Sequence, residues 1–386
     1  MSGKTRVFAP RARRGAAPRR AHPSTDRPAR GRSDAPHAKP LAPNPFSILA
    51  AGIKRDVDAR LSRLLDAKLR AARAIGSEFA ELVAAVRDLC LRGGKRLRPA
   101  LLIAGYRAAS ARAPLDPALD AGVALELLQA YFLIHDDWMD GDTVRRGGPA
   151  VHVMLGERFG SSALGERAGI LAGDYAAALA AEAIAKVAAA PARLARVGAA
   201  FAEMQLDVVA GQQLDLMGKS ARFEDVYTLK TTAYTVRGPL RIGALLGGAS
   251  PRILDAIDRF SHPIGIAFQL RDDVLGAFGD PARTGKPLGT DLRTGKRTLL
   301  LDLALRRARG RDHRLLGGVV GDTGATPERI AQALAVVERS GARRAVEARI
   351  EALAAEGLAA LGPAPLTASG RALLVGATSV LTARRS

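Results

Sequence analysis

Cysteine, aromatic residues and long apolar runs are all scarce in this chain. Its single cysteine, Cys90, can form no internal disulfide, so the fold does not depend on one. Aromatics make up only 4% of the 386 residues, while Ala and Leu dominate. That composition disfavours sheet and favours helix packed on helix. No uncharged apolar stretch reaches the ~18 residues of a bilayer-spanning helix. The longest run of small residues, Ile170 to Ala190, is interrupted by Asp174, Glu182 and Lys186. The expectation is a cytoplasmic protein with no transmembrane segment. Acidic residues are outnumbered 38 to 58, for a net charge of +20. Residues 1–45 account for +9 of it, with eleven Lys/Arg against Asp26 and Asp34. The excess is therefore not one broad basic face, and no specific nucleic-acid partner is expected.

What is present is a helical pattern and two acidic clusters. Residues 1–45 are rich in Arg, Ala and Pro with almost no large apolar residues, and they read as a disordered basic extension. From residue 46 to 386 the periodicity is helical nearly throughout, as in Val57, Leu61, Leu64, Leu65 and Leu69. The first acidic cluster ends the apolar run Leu125 to Ile134 and reads LIHDDWMDGDTVRRGGP from Leu133 to Pro149. On a helix, Asp136 and Asp140 share a face, with Asp137 beside them. Facing carboxylates with nothing cationic between them repel. A divalent cation between them removes the repulsion, and an all-oxygen set suits Mg²⁺ shared with substrate phosphates. Arg145 and Arg146 lie close enough to grip those phosphates. A solvated acidic helix end would give the same local pattern. The second cluster, Asp272–Asp273, again ends an apolar helical run, and two such pairs could face one cavity.

At this point the sequence resembles the trans-isoprenyl diphosphate (polyprenyl) synthases. Both aspartate motifs match in order and separation, and further elements fall between them. Arg92-Gly-Gly-Lys-Arg-Leu-Arg-Pro99 resembles the isopentenyl diphosphate pocket, which implies roles for Lys95 and Arg98. Gln129 stands where many relatives carry histidine. Ala172-Gly-Asp-Tyr175, Gly211-Gln-Gln-Leu-Asp215 and Lys230-Thr231 match the AGD, GQxxD and KT elements. Lys230 is thereby implied to meet the allylic diphosphate, and Thr231 to lie near the developing carbocation. Gln269, Asp272 and Asp273 form the second motif, which departs from DDxxD by carrying Gly276 at its last position. Lys286 and Lys296, on Gly-rich backbone, are implied to close over the diphosphate.

The resemblance implies an all-α fold, one large helical bundle around a central cavity, spanning residues 46–386. It implies several Mg²⁺ ions on Asp136, Asp137, Asp140, Asp272 and Asp273. The implied reaction joins an allylic diphosphate to isopentenyl diphosphate head to tail. Arg145, Lys230, Thr231 and Gln269 would act at the leaving diphosphate. Lys95, Arg98, Gln129 and Arg146 would hold the second substrate. Tyr131 and Phe132 precede Asp136 by five and four residues, about 6–8 Å deeper along a helix. Two rings there would floor the cavity early and stop growth at farnesyl diphosphate, or one step later at geranylgeranyl diphosphate. A homodimer is the family's common state. Two rivals share parts of the pattern: a class I terpene cyclase, which needs no second diphosphate site, and a non-catalytic modulating subunit, to which Gly276 lends some footing.

Overall fold

The computed structural model describes residues 43–218, 223–279 and 288–383. The extension expected over residues 1–45 lies outside them up to residue 42. Asn44 and Pro45 belong to the first helix instead. The Asn44 side chain accepts from the backbone N–H groups of Phe46 and Ser47 at 2.9 and 3.2 Å, and proline at the first helical position needs no partner for the N–H it lacks.

Helices follow in succession: α1 (Pro45–Arg73), α2 (Ser77–Leu91), α3 (Leu97–Ala109) and α4 (Asp116–Asp140). A two-residue antiparallel hairpin, Val144–Arg145 with Gly148–Pro149, leads to α5 (Val151–Phe159), α6 (Ser162–Ala185) and α7 (Pro191–Met217). After residue 222 come a π-helix (Tyr227–Arg237), α8 (Gly238–Leu246) and α9 (Pro251–Phe278). Shorter helices over residues 290–382 complete the chain. That hairpin is the only sheet among the described residues. The all-α expectation holds.

α4 is the axis of the bundle. Every residue from Ala121 to Ala130 is buried, Glu126 and Gln129 included, so this part of the helix is enclosed by neighbours. α1, α3, α5, α6 and α8 pack against it. α3 and α8 cross so closely that a side chain at Gly105 or Gly243 would strike the backbone of the other helix. α4 and α6 are long and apolar enough to cross a bilayer by length and composition. The most apolar window of α4 is 72% buried inside the bundle, and that of α6 39%. A second apolar core gathers Leu270, Val274 and Ala277 of α9 with Leu300, Ile330, Val337, Val346 and Ile350 of the later helices. α9 contributes to both cores, and Pro263 sits inside it, where it removes one helical hydrogen bond.

Candidate active site

The C-terminal end of α4 delivers three carboxylates where the helix dipole is least favourable to negative charge. Gly141, in the left-handed region at φ 68°, then stops the helix and lets the hairpin fold back. The fold-back separates the roles of the three aspartates. Asp137 is 1% exposed, and Arg145 binds it from Nε at 2.6 Å and from Nη2, with Asp142 also on Nη2 at 3.0 Å. Burial opposes the charge of Arg145, but its carboxylate partners outweigh that and hold it protonated. Asp137 is thus held through Oδ1 by an internal ion pair and is not among the residues lining the cavity, while its buried Oδ2 has no hydrogen-bond partner among the described residues. Arg145 reaches the cavity wall with Nε and Nη2 already engaged.

Asp136 does face the cavity. It accepts from Gln212 Nε2 at 3.3 Å and lies 3.7 Å from Lys230 Nζ. Asp140 is one turn on and exposed. Partial burial and then the charge of Asp136 push its carboxyl above the ordinary value, with Lys230 pulling the other way. Lys230 itself is held by Asp215 Oδ2 at 2.8 Å. It rises from the π-helix, whose i→i+5 ladder widens the turn so that residues 230, 231, 234 and 235 all reach the cavity.

From α9, Gln269 and Asp272 line the cavity and Asp273 does not. Asp273 is 1% exposed. It accepts from Tyr227 Oη at 2.6 Å and from Gln269 Nε2 at 2.8 Å, with Lys296 Nζ at 3.7 Å. Burial lifts its carboxyl to about 6 in spite of Lys296 and the two hydrogen bonds. Asp273 therefore belongs to a buried polar network and is not among the residues lining the cavity. Thr231 Oγ1 donates to Gln269 Oε1 at 2.5 Å, which links the π-helix to that network. Lys296 stands in a small adjoining recess with Lys230, Asp215 and Arg297. Burial disfavours its charge, but Asp273 and Asp291 dominate and raise it. A side chain at Gly276 would collide with the Asp291 carboxylate, so the position that departs from DDxxD is filled by an acid from elsewhere in the chain. Lys286 lies outside the described residues.

The cations of the GGKRLRP segment line the same cavity, of about 1100 Å³. Lys95 is exposed in its mouth. The Arg98 guanidinium lies 4.1 Å over the Tyr234 ring and donates to Thr235 Oγ1 at 3.0 Å. Tyr234 Oη donates to Gln129 Oε1 at 2.8 Å, and burial pushes its phenol up, so it stays a neutral donor. Phe132 packs edge-on against Tyr234 at 4.7 Å and lies tilted against Tyr131 at 4.8 Å, and Tyr131 meets His135 at 4.9 Å. Both rings line the cavity and also form part of its packing.

Sequence reasoning missed Tyr227, Tyr234, Arg96 and Glu126. Tyr234 could have been found from its spacing of four after Lys230. The other three show themselves only through partners distant in sequence.

Among the described residues, no three His, Cys, Asp or Glu side chains converge on a ready-made metal cage. Asp136 on α4 and Asp272 on α9 line the cavity, and Asp140 stands exposed one turn beyond Asp136, so the acids form two small sets. Such sets fit an ion that takes one or two carboxylates and completes its shell with water and substrate phosphate.

Residues 80–337 match the profile of the polyprenyl synthetase family. A short chain isoprenyl diphosphate synthase from Methanothermobacter thermautotrophicus is 34% identical over 296 residues, 74% of this chain and 85% of the relative. A (2E,6E)-farnesyl diphosphate synthase from Mycobacterium tuberculosis is 32% identical over 264 residues, 65% of this chain and 68% of the relative. Among solved structures, geranylgeranyl pyrophosphate synthase from Corynebacterium glutamicum, complexed with isoprenyl diphosphate and magnesium, is 37% identical. It superposes with a TM-score of 0.81 over 89% of this chain and all of that one.

Proposed function

The chain belongs to the polyprenyl synthetase family of trans-prenyltransferases, and from that premise we propose that it condenses an allylic diphosphate with isopentenyl diphosphate in a magnesium-dependent reaction ending at farnesyl diphosphate. The observation that carries this reading is the sharing of one cavity by two opposed functional sets. Asp136, Asp272 and Lys230 line it together with Lys95, Arg98 and Arg146. The first set suits a leaving diphosphate, and the second suits a diphosphate that stays bound.

Asp136, Asp140 and Asp272 would hold Mg²⁺, which when bound supplies positive charge against the departing diphosphate. Lys230, tethered by Asp215, adds an ammonium that needs no reorientation as negative charge develops. The allylic C–O bond breaks and leaves a carbocation. Thr231 and Gln269, joined to each other, line the wall beside it. Lys95, Arg98 and Arg146 hold isopentenyl diphosphate so that its alkene attacks that carbon, and Gln129 is kept in place by Tyr234. A proton then leaves the new chain to the released pyrophosphate.

Product length rests on Tyr131 and Phe132. Their clasp by Tyr234 and His135 makes a stiff floor, which favours the fifteen-carbon product. The likeness to a geranylgeranyl synthase and the size of the cavity favour a twenty-carbon product as the second reading. We further propose a cytoplasmic homodimer. Leu164 and Leu171 on α6 and Leu206 on α7 are 47%, 60% and 72% exposed in the single chain, apolar surface that a second copy would cover.

The test is a product assay with Mg²⁺, isopentenyl diphosphate and, separately, dimethylallyl, geranyl and farnesyl diphosphates. A fifteen-carbon product from the first two and none from the third is expected. Elongation of farnesyl diphosphate moves the assignment to geranylgeranyl diphosphate. No condensation by the folded protein overturns the synthase reading, and product formed without isopentenyl diphosphate points to a cyclase. Sedimentation of the same sample reports the dimer.

A further inference from the structure

Arg96 sits in the middle of the segment that supplies Lys95 and Arg98, yet it does not behave as a substrate cation. It is 2% exposed, and its guanidinium is fully engaged. Nε donates to Asp58 Oδ1 at 2.6 Å, Nη1 to Glu126 Oε2 at 2.5 Å and Nη2 to the Cys90 carbonyl at 2.9 Å. Glu126 is 6% exposed, at the cavity wall on α4, one turn before Gln129. The guanidinium of Arg146 approaches the same spot. A methyl group on Gly94 would lie 3.5 Å from Arg96 Nη1 and 3.6 Å from Arg146 Nη2.

The backbone marks the same place. Among the described residues, only two that are not glycine have positive φ: Arg96 at 47° and Arg146 at 53°. Left-handed backbone is unfavourable for residues with side chains and persists only where the surroundings over-determine it. Arg96 bonds the buried Glu126 carboxylate directly, whereas Arg146 donates from Nη1 to the Leu89 carbonyl at 3.3 Å and feels Glu126 through its charge. Lys95, Arg96, Arg98 and Arg146 share the cavity wall with Glu126, so cations outnumber the acid there. Burial lowers the pKa of Arg146; the charge of Glu126 opposes this, and the charges of Arg96 and Arg98 add to it.

We propose that Glu126 and Arg96 are positioning residues for the isopentenyl diphosphate cradle, in which the buried Glu126 carboxylate holds Arg96 in its left-handed bend and sets where Arg146 meets the incoming diphosphate. This rests on the synthase reading above. It makes a prediction opposite in sign to simple electrostatics. If Glu126 only diluted the positive charge, neutralising it would tighten anion binding. If it positions the cations, neutralising it weakens binding.

The experiment compares wild type, Glu126→Gln and the double variant Arg96→Met with Glu126→Leu. Inorganic pyrophosphate is titrated calorimetrically in EDTA, so that metal-dependent binding is silent, and KM is measured for both substrates with Mg²⁺. Glu126→Gln is expected to bind pyrophosphate about fivefold or more weakly, and to raise KM for isopentenyl diphosphate by a similar factor. KM for the allylic substrate should stay within about twofold. A buried ion pair replaced by well-packed apolar groups commonly regains stability. The double variant should therefore recover the melting temperature and keep the weakened anion binding. Should Glu126→Gln fail to fold, the double variant decides alone. Unchanged or tighter pyrophosphate binding overturns the proposal, as does a double variant with wild-type binding. A wild type that makes no product fails the synthase reading instead, and the pyrophosphate titration still tests the cradle.

Discussion

Replacing Tyr227 with phenylalanine removes one oxygen that serves two partners. The Tyr227 hydroxyl donates to Asp273 Oδ2 at 2.6 Å and accepts from the Leu299 backbone N–H at 3.1 Å. Asp273 is buried, and Gln269 is the other hydrogen-bond donor on its carboxylate. Leaving a buried acceptor and a backbone donor each without a partner costs about 1–3 kcal/mol apiece, so ~2–4 kcal/mol is expected together, since such losses are not fully additive. Unfolding entropy for 386 residues is about 0.8 kcal/mol/K, which turns that loss into a fall of roughly 3–5 °C in melting temperature. The fall should depend on pH. The folded Asp273 carboxyl is raised from 3.8 to about 6. A raised acid contributes stability below its unfolded value and loses that contribution as pH rises through its folded value. Removing the Tyr227 donor raises the carboxyl further, so the variant loses more than wild type on the alkaline side. At pH 5 Asp273 carries its own proton in both proteins, and mainly the Leu299 loss remains, about 1–2 °C. Differential scanning fluorimetry at pH 5 and pH 8 measures both. Equal shifts at the two pH values, or a shift below about 1 °C at pH 8, would refute the network as described.

Three further perturbations test other parts of the site. Arg145→Met strands the buried Asp137 carboxylate, and a loss of about 3–5 kcal/mol is expected, read as a melting temperature lowered by ~4–6 °C and largely regained in Arg145→Met with Asp137→Leu. Gly276→Asp restores the fuller family motif on paper but collides with Asp291, so product formation should fall about tenfold or more, a barrier increase of ~1.4 kcal/mol, and adding Asp291→Ala should recover part of it. Unaltered turnover in Gly276→Asp would mean that Asp291 moves aside freely. The double variant Tyr131→Ala with Phe132→Ala removes the rings that line the cavity near α4, and its products should lengthen by at least one five-carbon unit on thin-layer or mass analysis; products of unchanged length would sink the floor.

The sequence by itself carried the fold class and most of the residues that line the cavity as candidates. Helical periodicity from Val57 onward and the scarcity of aromatics pointed to an all-helical bundle, because apolar spacing reports which face must be buried. The acids at the end of α4, the cations of GGKRLRP and the Lys-Thr pair were legible because each is a short local pattern. Asp136, Asp272, Lys95, Arg98, Gln129, Arg146 and Lys230 all reach one cavity. What the local pattern could not tell was which member of each Asp-Asp pair lines the cavity. Adjacent residues on a helix point in different directions, and only the packing of α4 and α9 decides which one is turned inward. Asp137 meets Arg145 from the hairpin, and Asp273 meets Tyr227 from the π-helix 46 residues earlier in the chain. The same holds for Gly276, read in sequence as a missing acid and found in space as the gap that Asp291 fills. A one-dimensional motif specifies chemistry over a turn or two of helix. Which charge is buried, which is paired and which is left for the substrate depends on neighbours that the chain brings back from far away.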